Sequence, residues 1–244
     1  MIDWLRAASE TPVVEIAGRA LPIAIRRHAR AQRLTMRLAP DGSEIRVTLP
    51  RWGRTRDALV FAEARSAWIA AQLARIPVAE PVLAGSRIRF RGHELTVDWN
   101  EKARRLPRQE GDRLYLGGPQ AGIGGRVQRW LETQAIELMR TDLAEYCERA
   151  LLSAPELRLS RAQRRWGSCS GSGPNARCIR INWRLVQAPD AVRRSVVAHE
   201  VAHLTHFDHS PAFHAHLARL FEGEIADADR WLKEHGRSLY APFG

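Results

Sequence analysis

Near the N-terminus apolar residues recur at every second position. In RLTMRLAPDGSEIRVTLP, Leu34, Met36 and Leu38 point to one side, Asp41-Gly42 supplies a turn, and Ile45, Val47 and Leu49 return on that side. This alternation predicts a β-hairpin with one buried face. From about Thr55 to Ile76 the period lengthens to three and four, and Leu59, Phe61, Trp68, Ile69 and Leu73 form the apolar stripe of one long helix. The run SRIRFRGHELTVDW, followed by RRLPRQEGDRLYLGG, alternates again between glycine-containing turns and reads as short strands. Together these elements predict a small β-rich module with one long helix over residues 1–124.

A second helical period runs from about Gly125 to Leu151 with no internal proline or glycine, and opens a second domain, 125–244. After it, LRLSRAQRRWGSCS and RCIRINWRLV predict two strands around the loop SGSGPN, with Ile179, Ile181, Trp183 and Leu185 on a common face. Pro189 and Asp190 then break the chain and start another helix. No internal repeat or low-complexity tract interrupts this order. The expected fold is α+β.

That last helix carries the candidate chemistry. VVAHEVAHLTHFDHSPAFH, Val196 to His214, holds five histidines and one glutamate. Residues four apart share a helix face, so His199 and His203 can present two imidazole nitrogens to one ion, with Glu200 projecting from the same turn. This HExxH spacing suits zinc, which takes three protein ligands and leaves a fourth position for water at catalytic sites. Glu200 can then take a proton from the attacking water.

For a third ligand, His206 lies seven residues beyond His199, roughly 10 Å along a continuing helix, which is too far. The chain must reverse first, and FDHSP supplies the break: Ser210 is suited to cap a new helix and Pro211 to begin it. His209, held at that break, is the preferred third ligand; His214, His216, Glu222 and Glu224 are the alternatives. His206 and His216 are expected as bystanders on solvated faces.

Upstream, RRWGSCS places a bulky ring next to a glycine, which permits a close backbone approach or a bulge. An exposed strand edge there could pair with an extended peptide. Arg165 and Arg177 are suited instead to a phosphate or carboxylate.

Composition sets outer limits. The chain has 244 residues, 45% hydrophobic and 27% charged, and no apolar run long enough to span a bilayer or basic apolar leader, so a soluble, cytoplasmic protein with no membrane partner is expected. Cys147, Cys169 and Cys178 form no CxxC pair, which suggests neither a disulfide framework nor a thiolate zinc site. The net charge of +11 invites a nucleic-acid partner. Yet residues 1–150 carry 25 basic and 18 acidic side chains and residues 151–244 carry 13 and 9, so the excess looks spread. Only Lys102 and Lys233 are lysines, and 36 basic residues are arginines, a bias that genomic base composition can produce.

RRWGSCS, IRINWRLV, VVAHEVAHLTHFDHSPAF and WLKEHG, in this order, resemble the YgjP-like branch of the zincin metallopeptidases, relatives of the SprT-like and WLM proteases. The resemblance extends from about Val13 to the end and implies one zinc ion held by His199, His203 and His209, with Glu200 as the base. The chain departs from the family pattern at His214, where tryptophan is usual, and at Arg194-Ser195, where Asp-Tyr is frequent; both bear on the shape of the pocket. Members are classed as peptidases by motif, and one bacterial member is described as a UTP pyrophosphatase. The resemblance therefore implies a peptide or unfolded-protein substrate first. The alternative is a nucleoside triphosphate, and behind it a nucleic-acid-associated protein with a structural metal. Arg165, Trp166, Ser168, Asn182 and His214 are the expected substrate-facing residues.

Overall fold

The computed structural model describes residues 12–39, 42–74, 81–163, 165–170 and 178–243. The chain forms two compact units, Met1–Pro77 and Val78–Gly244.

In the first unit, strands β1 (Val13–Ile16), β2 (Arg19–Arg27), β3 (Thr35–Leu38) and β4 (Ile45–Leu49) form a sheet of order β1-β2-β4-β3. The β1–β2 hairpin closes through Ala17-Gly18, both with positive φ (49° and 75°), as a two-residue turn of this hand requires. The β3–β4 hairpin pairs Met36 with Val47 and Leu38 with Ile45, as the alternation predicts; Asp41, in its turn, lies outside the described residues. The buried sheet face, Val14, Ile16, Leu21, Ile23, Ile45, Val47 and Leu49, packs with Ala58, Ala62 and Ile69.

These last three residues belong to two helices, α1 (Thr55–Glu63) and α2 (Ser66–Leu73), where one helix over 55–76 was expected. The break at Ala64-Arg65 carries no glycine or proline. Length explains it: an unbroken helix over 55–76 would run roughly 33 Å, whereas strands of four to nine residues span about 13–30 Å. Two short helices stay over the sheet.

The second unit begins with β5 (Arg87–Phe90), β6 (His93–Trp99), β7 (Arg108–Glu110) and β8 (Arg113–Leu116), in the order β5-β6-β8-β7. It continues with the long helix α3 (Ile123–Arg149), whose buried positions Ile123, Val127, Leu131, Ala135, Met139, Leu143 and Tyr146 form one stripe. Ile88, Phe90, Leu95, Val97, Leu114 and Leu116 belong to the same core as that stripe. The unit boundary therefore lies near residue 77 and not at 124/125: the sheet β5–β8 buries its apolar face in the core that α3 occupies.

Next come β9 (Glu156–Ser160), β10 (Gly167–Ser170) and β11 (Cys178–Asn182), with order β10-β11-β9. The stretch LRLSRAQRRWGSCS is thus two strands where one was expected. One pairs parallel and the other antiparallel with β11. Ile179, Ile181, Trp183 and Leu185 are all fully buried, but the strand ends at Asn182 and the last two lie on a 3-10 turn, Trp183–Gln187. Helices α4 (Asp190–Ala202), α5 (Pro211–Leu220) and α6 (Ile225–His235) complete the unit. Among the described residues, no helix is long and apolar enough to cross a membrane.

Candidate metal centre

Helix α4 is nearly enclosed: Val192, Val196, Val197, Ala198, Val201 and Ala202 are buried. Its orientation against α3 is set by charge as well as by packing. Arg193 is buried, and its Nε donates to Asp142 Oδ2 on α3 at 2.7 Å. Arg194 donates to Glu145 at 2.8 and 3.0 Å, and through Nε to Glu222 Oε1 at 2.5 Å. Glu222 also accepts from Tyr146 Oη at 2.8 Å and Arg149 at 3.0 Å. Burial raises the pKa of Glu222, but the hydrogen bonds from Arg194 and Tyr146 outweigh it and bring the carboxyl down to about 2.

The helix ends at Ala202, and His203 occupies its C-cap. The chain then turns, and α5 begins at Pro211 with the Ser210 side chain accepting from the Phe213 N–H, as the FDHSP break predicts. This reversal returns His209 to the other two histidines. Nε2 of His199 lies 3.2 Å from Nε2 of His203 and 3.2 Å from Nε2 of His209. Nitrogens bound tetrahedrally at 2.0–2.1 Å from zinc stand about 3.3 Å apart. The three donor atoms, all within 4.8 Å of one another, therefore fit one small cation.

Protonation supports the same use. Nδ1 of His203 is 2.9 Å from the carbonyl oxygen of His206, which only accepts, so Nδ1 carries the hydrogen and, in the neutral ring, Nε2 is the nitrogen with the lone pair. Burial, followed by the neighbouring His203, His209 and His214, lowers the pKa of His199 to about 4, leaving a neutral imidazole at neutral pH. Beneath all three lies Phe213, fully buried, with its ring centroid 5.0, 4.6 and 4.9 Å from those of His199, His203 and His209.

Among the described residues, the other candidates for third donor lie outside this cluster. Glu222 is held by Arg194, Arg149 and Tyr146. Glu224 is the N-cap residue of α6. His214 is exposed on α5, its ring 6.4 Å from that of His209. His216 and His206 face each other at 5.7 Å. Both are half-buried where solvated faces were expected, and His206 acts on the centre through its carbonyl.

Glu200 is 5% exposed. Its carboxylate rests on β10, where a Cβ added to Gly167 would lie 2.4 Å from Oε1 and 2.7 Å from Cγ; only glycine fits. The Cys169 N–H donates to it, and Oε2 is buried without a hydrogen-bond partner among the described residues. Desolvation raises its pKa to about 7, against the opposing pull of Arg165 and the Cys169 N–H. A carboxyl balanced near neutrality, with one oxygen uncommitted, can both accept and return a proton.

The remaining expected site residues divide. Arg165 is exposed and close enough to influence Glu200, and Ser168 is half-buried on β10. Trp166 instead packs on Tyr240, with ring centroids 5.7 Å apart. Asn182 was expected to face the substrate; it is fully buried, donating to Ala162 O (2.8 Å) and Tyr240 Oη (3.1 Å) and accepting from the Arg184 N–H. Its polarity serves the fold. Arg177 lies outside the described residues. Sequence reasoning missed the Phe213 floor and the Cys169 N–H; of Gly167 it signalled a close backbone approach, but not that Glu200 is what approaches.

Among known protein families, the family model "YgjP-like, metallopeptidase domain" matches residues 32–235. No curated protein and no solved structure matches the chain.

Proposed function

The chain belongs to the YgjP-like family, and from that premise we propose that it is a zinc-dependent peptidase acting on peptides or unfolded protein segments. The observation that carries this reading is the convergence of three histidine nitrogens beside a buried glutamate, one oxygen of which has no hydrogen-bond partner among the described residues. His199, His203 and His209 hold the metal, while the His206 carbonyl and the Phe213 ring fix their orientation. Bound zinc supplies a positive charge that brings the pKa of water toward 7. Glu200 takes the proton from the attacking water and returns it to the leaving amine, a task for which its burial beside the three histidines places it.

Peptide is the favoured substrate because β10, which carries the Gly167–Glu200 contact, is an edge strand of its sheet. An extended chain added to that edge meets the glutamate, and main-chain hydrogen bonds position it without regard to side-chain identity. Exposed Arg165 and His214 flank the glutamate and the third histidine. The same Arg165 favours the second reading, a nucleoside triphosphate gripped through its phosphates.

The test compares the parent, Glu200→Gln and His209→Ala for zinc content and for hydrolysis of an unfolded protein, a peptide mixture and nucleoside triphosphates. About one zinc per chain is expected in the parent and in Glu200→Gln, with peptide cleavage down roughly 10²- to 10⁴-fold in the latter. His209→Ala should lose zinc affinity by more than the roughly 10- to 100-fold typical of outer-shell changes. Triphosphate hydrolysis that depends on Glu200, without peptide cleavage, would replace the first reading with the second. Undiminished hydrolysis in Glu200→Gln would remove the base.

A further inference from the structure

Dividing the sequence where the structure divides changes the distribution of charge. Residues 1–77 hold 13 arginines and 7 carboxylates, net +6, whereas residues 78–244 hold 25 basic and 20 acidic side chains, net +5 over more than twice the length. The pairing of these charges differs too. In the second unit Arg91, Arg113, Arg149, Arg161, Arg193 and Arg194 all meet carboxylates. Among the described residues of the first unit, the one ion pair is Arg46–Glu44.

Topology concentrates the unpaired charge. β2 and β4 are parallel, with Arg27 beside Leu49, and β3 is antiparallel, with Thr35 beside Thr48. The ends of β2 and β4 and the start of β3 therefore share one end of the sheet. The segments there, 26–35 and 49–57, expose Arg27, Arg30, Arg33, Arg51, Arg54 and Arg56. Their one carboxylate, Asp57, is taken up in capping α1, where it accepts from the Arg54 N–H at 2.8 Å. Among them stands Trp52, 73% exposed.

We propose that this end of the N-terminal unit binds single-stranded nucleic acid, with guanidinium groups on the phosphates and Trp52 stacked on a base. A guanidinium presents a planar fork that matches phosphate oxygens. A flat aromatic ring amid basic groups is the combination that single strands use, since their bases are free to stack. A duplex hides those faces. A bilayer surface would need an apolar face around the ring, and the exposed positions nearest to it in the chain are Arg51 and Arg54. An acidic protein offers charge, but not a flat stacking face on every charged unit as a single strand does.

The experiment is fluorescence anisotropy on the full-length chain, with a labelled mixed-sequence oligonucleotide as single strand and as duplex, and phosphatidylserine vesicles and polyglutamate as competitors. The variants are Trp52→Ala and the triple Arg30→Gln, Arg33→Gln, Arg51→Gln. All four residues are exposed, so folding is untouched, which a thermal melt checks. Arg27 is left alone because it bonds Gly53 O and Thr55 Oγ1.

The expected result is tighter binding of the single strand than of the duplex. Trp52→Ala should weaken it about 5- to 100-fold. The triple variant should make the slope of log K against log salt shallower by about 2, at roughly 0.7 for each phosphate no longer neutralised. No binding of the single strand at low salt overturns the proposal, as does binding that both variants leave unchanged. Vesicles or polyglutamate competing as well as unlabelled oligonucleotide also overturn it, and reassign the surface to a membrane or an acidic protein.

Discussion

Replacing Gly167 with alanine tests the centre through a residue that neither binds metal nor meets solvent freely. The new Cβ would lie 2.4 Å from Oε1 of Glu200, 2.7 Å from Cγ and 2.8 Å from Cδ. Carbon atoms settle at about 3.5–4.0 Å from one another. Either the carboxylate retreats by roughly 0.7–1 Å or β10 bends away. Misplacing a reacting group by about 1 Å costs on the order of 100-fold in rate. Overpacking a closed site costs about 1–3 kcal/mol of stability.

The assay is cleavage of a quenched fluorescent peptide by zinc-loaded protein, alongside zinc content and urea unfolding. Gly167→Ala is expected to keep its zinc, lose about 1–3 kcal/mol and lose about 100-fold in kcat/KM. Adding Glu200→Ala removes the clashing atoms, so the double variant should be more stable than the sum of the two single losses predicts. Full activity in Gly167→Ala, or strictly additive stabilities, would refute the placement of the Glu200 carboxylate on β10.

Two further predictions concern the charges that hold α4. Arg193→Ala leaves Asp142 buried with, among the described residues, only Arg194 donating to it at 3.2 Å, and leaves Asp190 to Arg91, so urea unfolding should show a loss near 3 kcal/mol, the lower end for a broken buried pair; replacing both partners together, as Asp142→Leu with Arg193→Met, should recover most of it, and a loss below about 1 kcal/mol in the single variant would count against the pair. Glu222 has its pKa depressed to about 2, so its contribution to stability is complete above the ordinary carboxylate pKa and disappears as pH falls toward 2. Between pH 5 and 2.5 the parent should therefore lose more stability than Glu222→Gln, by a modest margin because the side chain is 43% exposed; parallel acid limbs would contradict this.

Periodicity, helix capping and short spacings are local, and what rests on them could be read from the sequence. The β3–β4 hairpin, the long helix α3, the shared face of His199 and His203, and the Ser210-Pro211 restart that returns His209 are all of this kind. Each depends on residues within one turn or one hairpin of each other. The sequence also held the family motifs across most of the chain.

The tertiary structure decided the features that depend on distant residues or on burial. Glu200 meets Gly167 and Cys169, 33 and 31 residues before it, and its pKa near 7 is set by solvent excluded by several elements at once. Asn182 looked available for a substrate, but Ala162 and Tyr240 use its amide. Glu222 was a possible ligand until the fold surrounded it with Arg194, Arg149 and Tyr146. The boundary near residue 77 follows from which core the second sheet enters, and only that boundary exposes the uneven charge. A sequence carries local preferences in linear order, whereas burial and charge pairing are sums over everything the fold brings near.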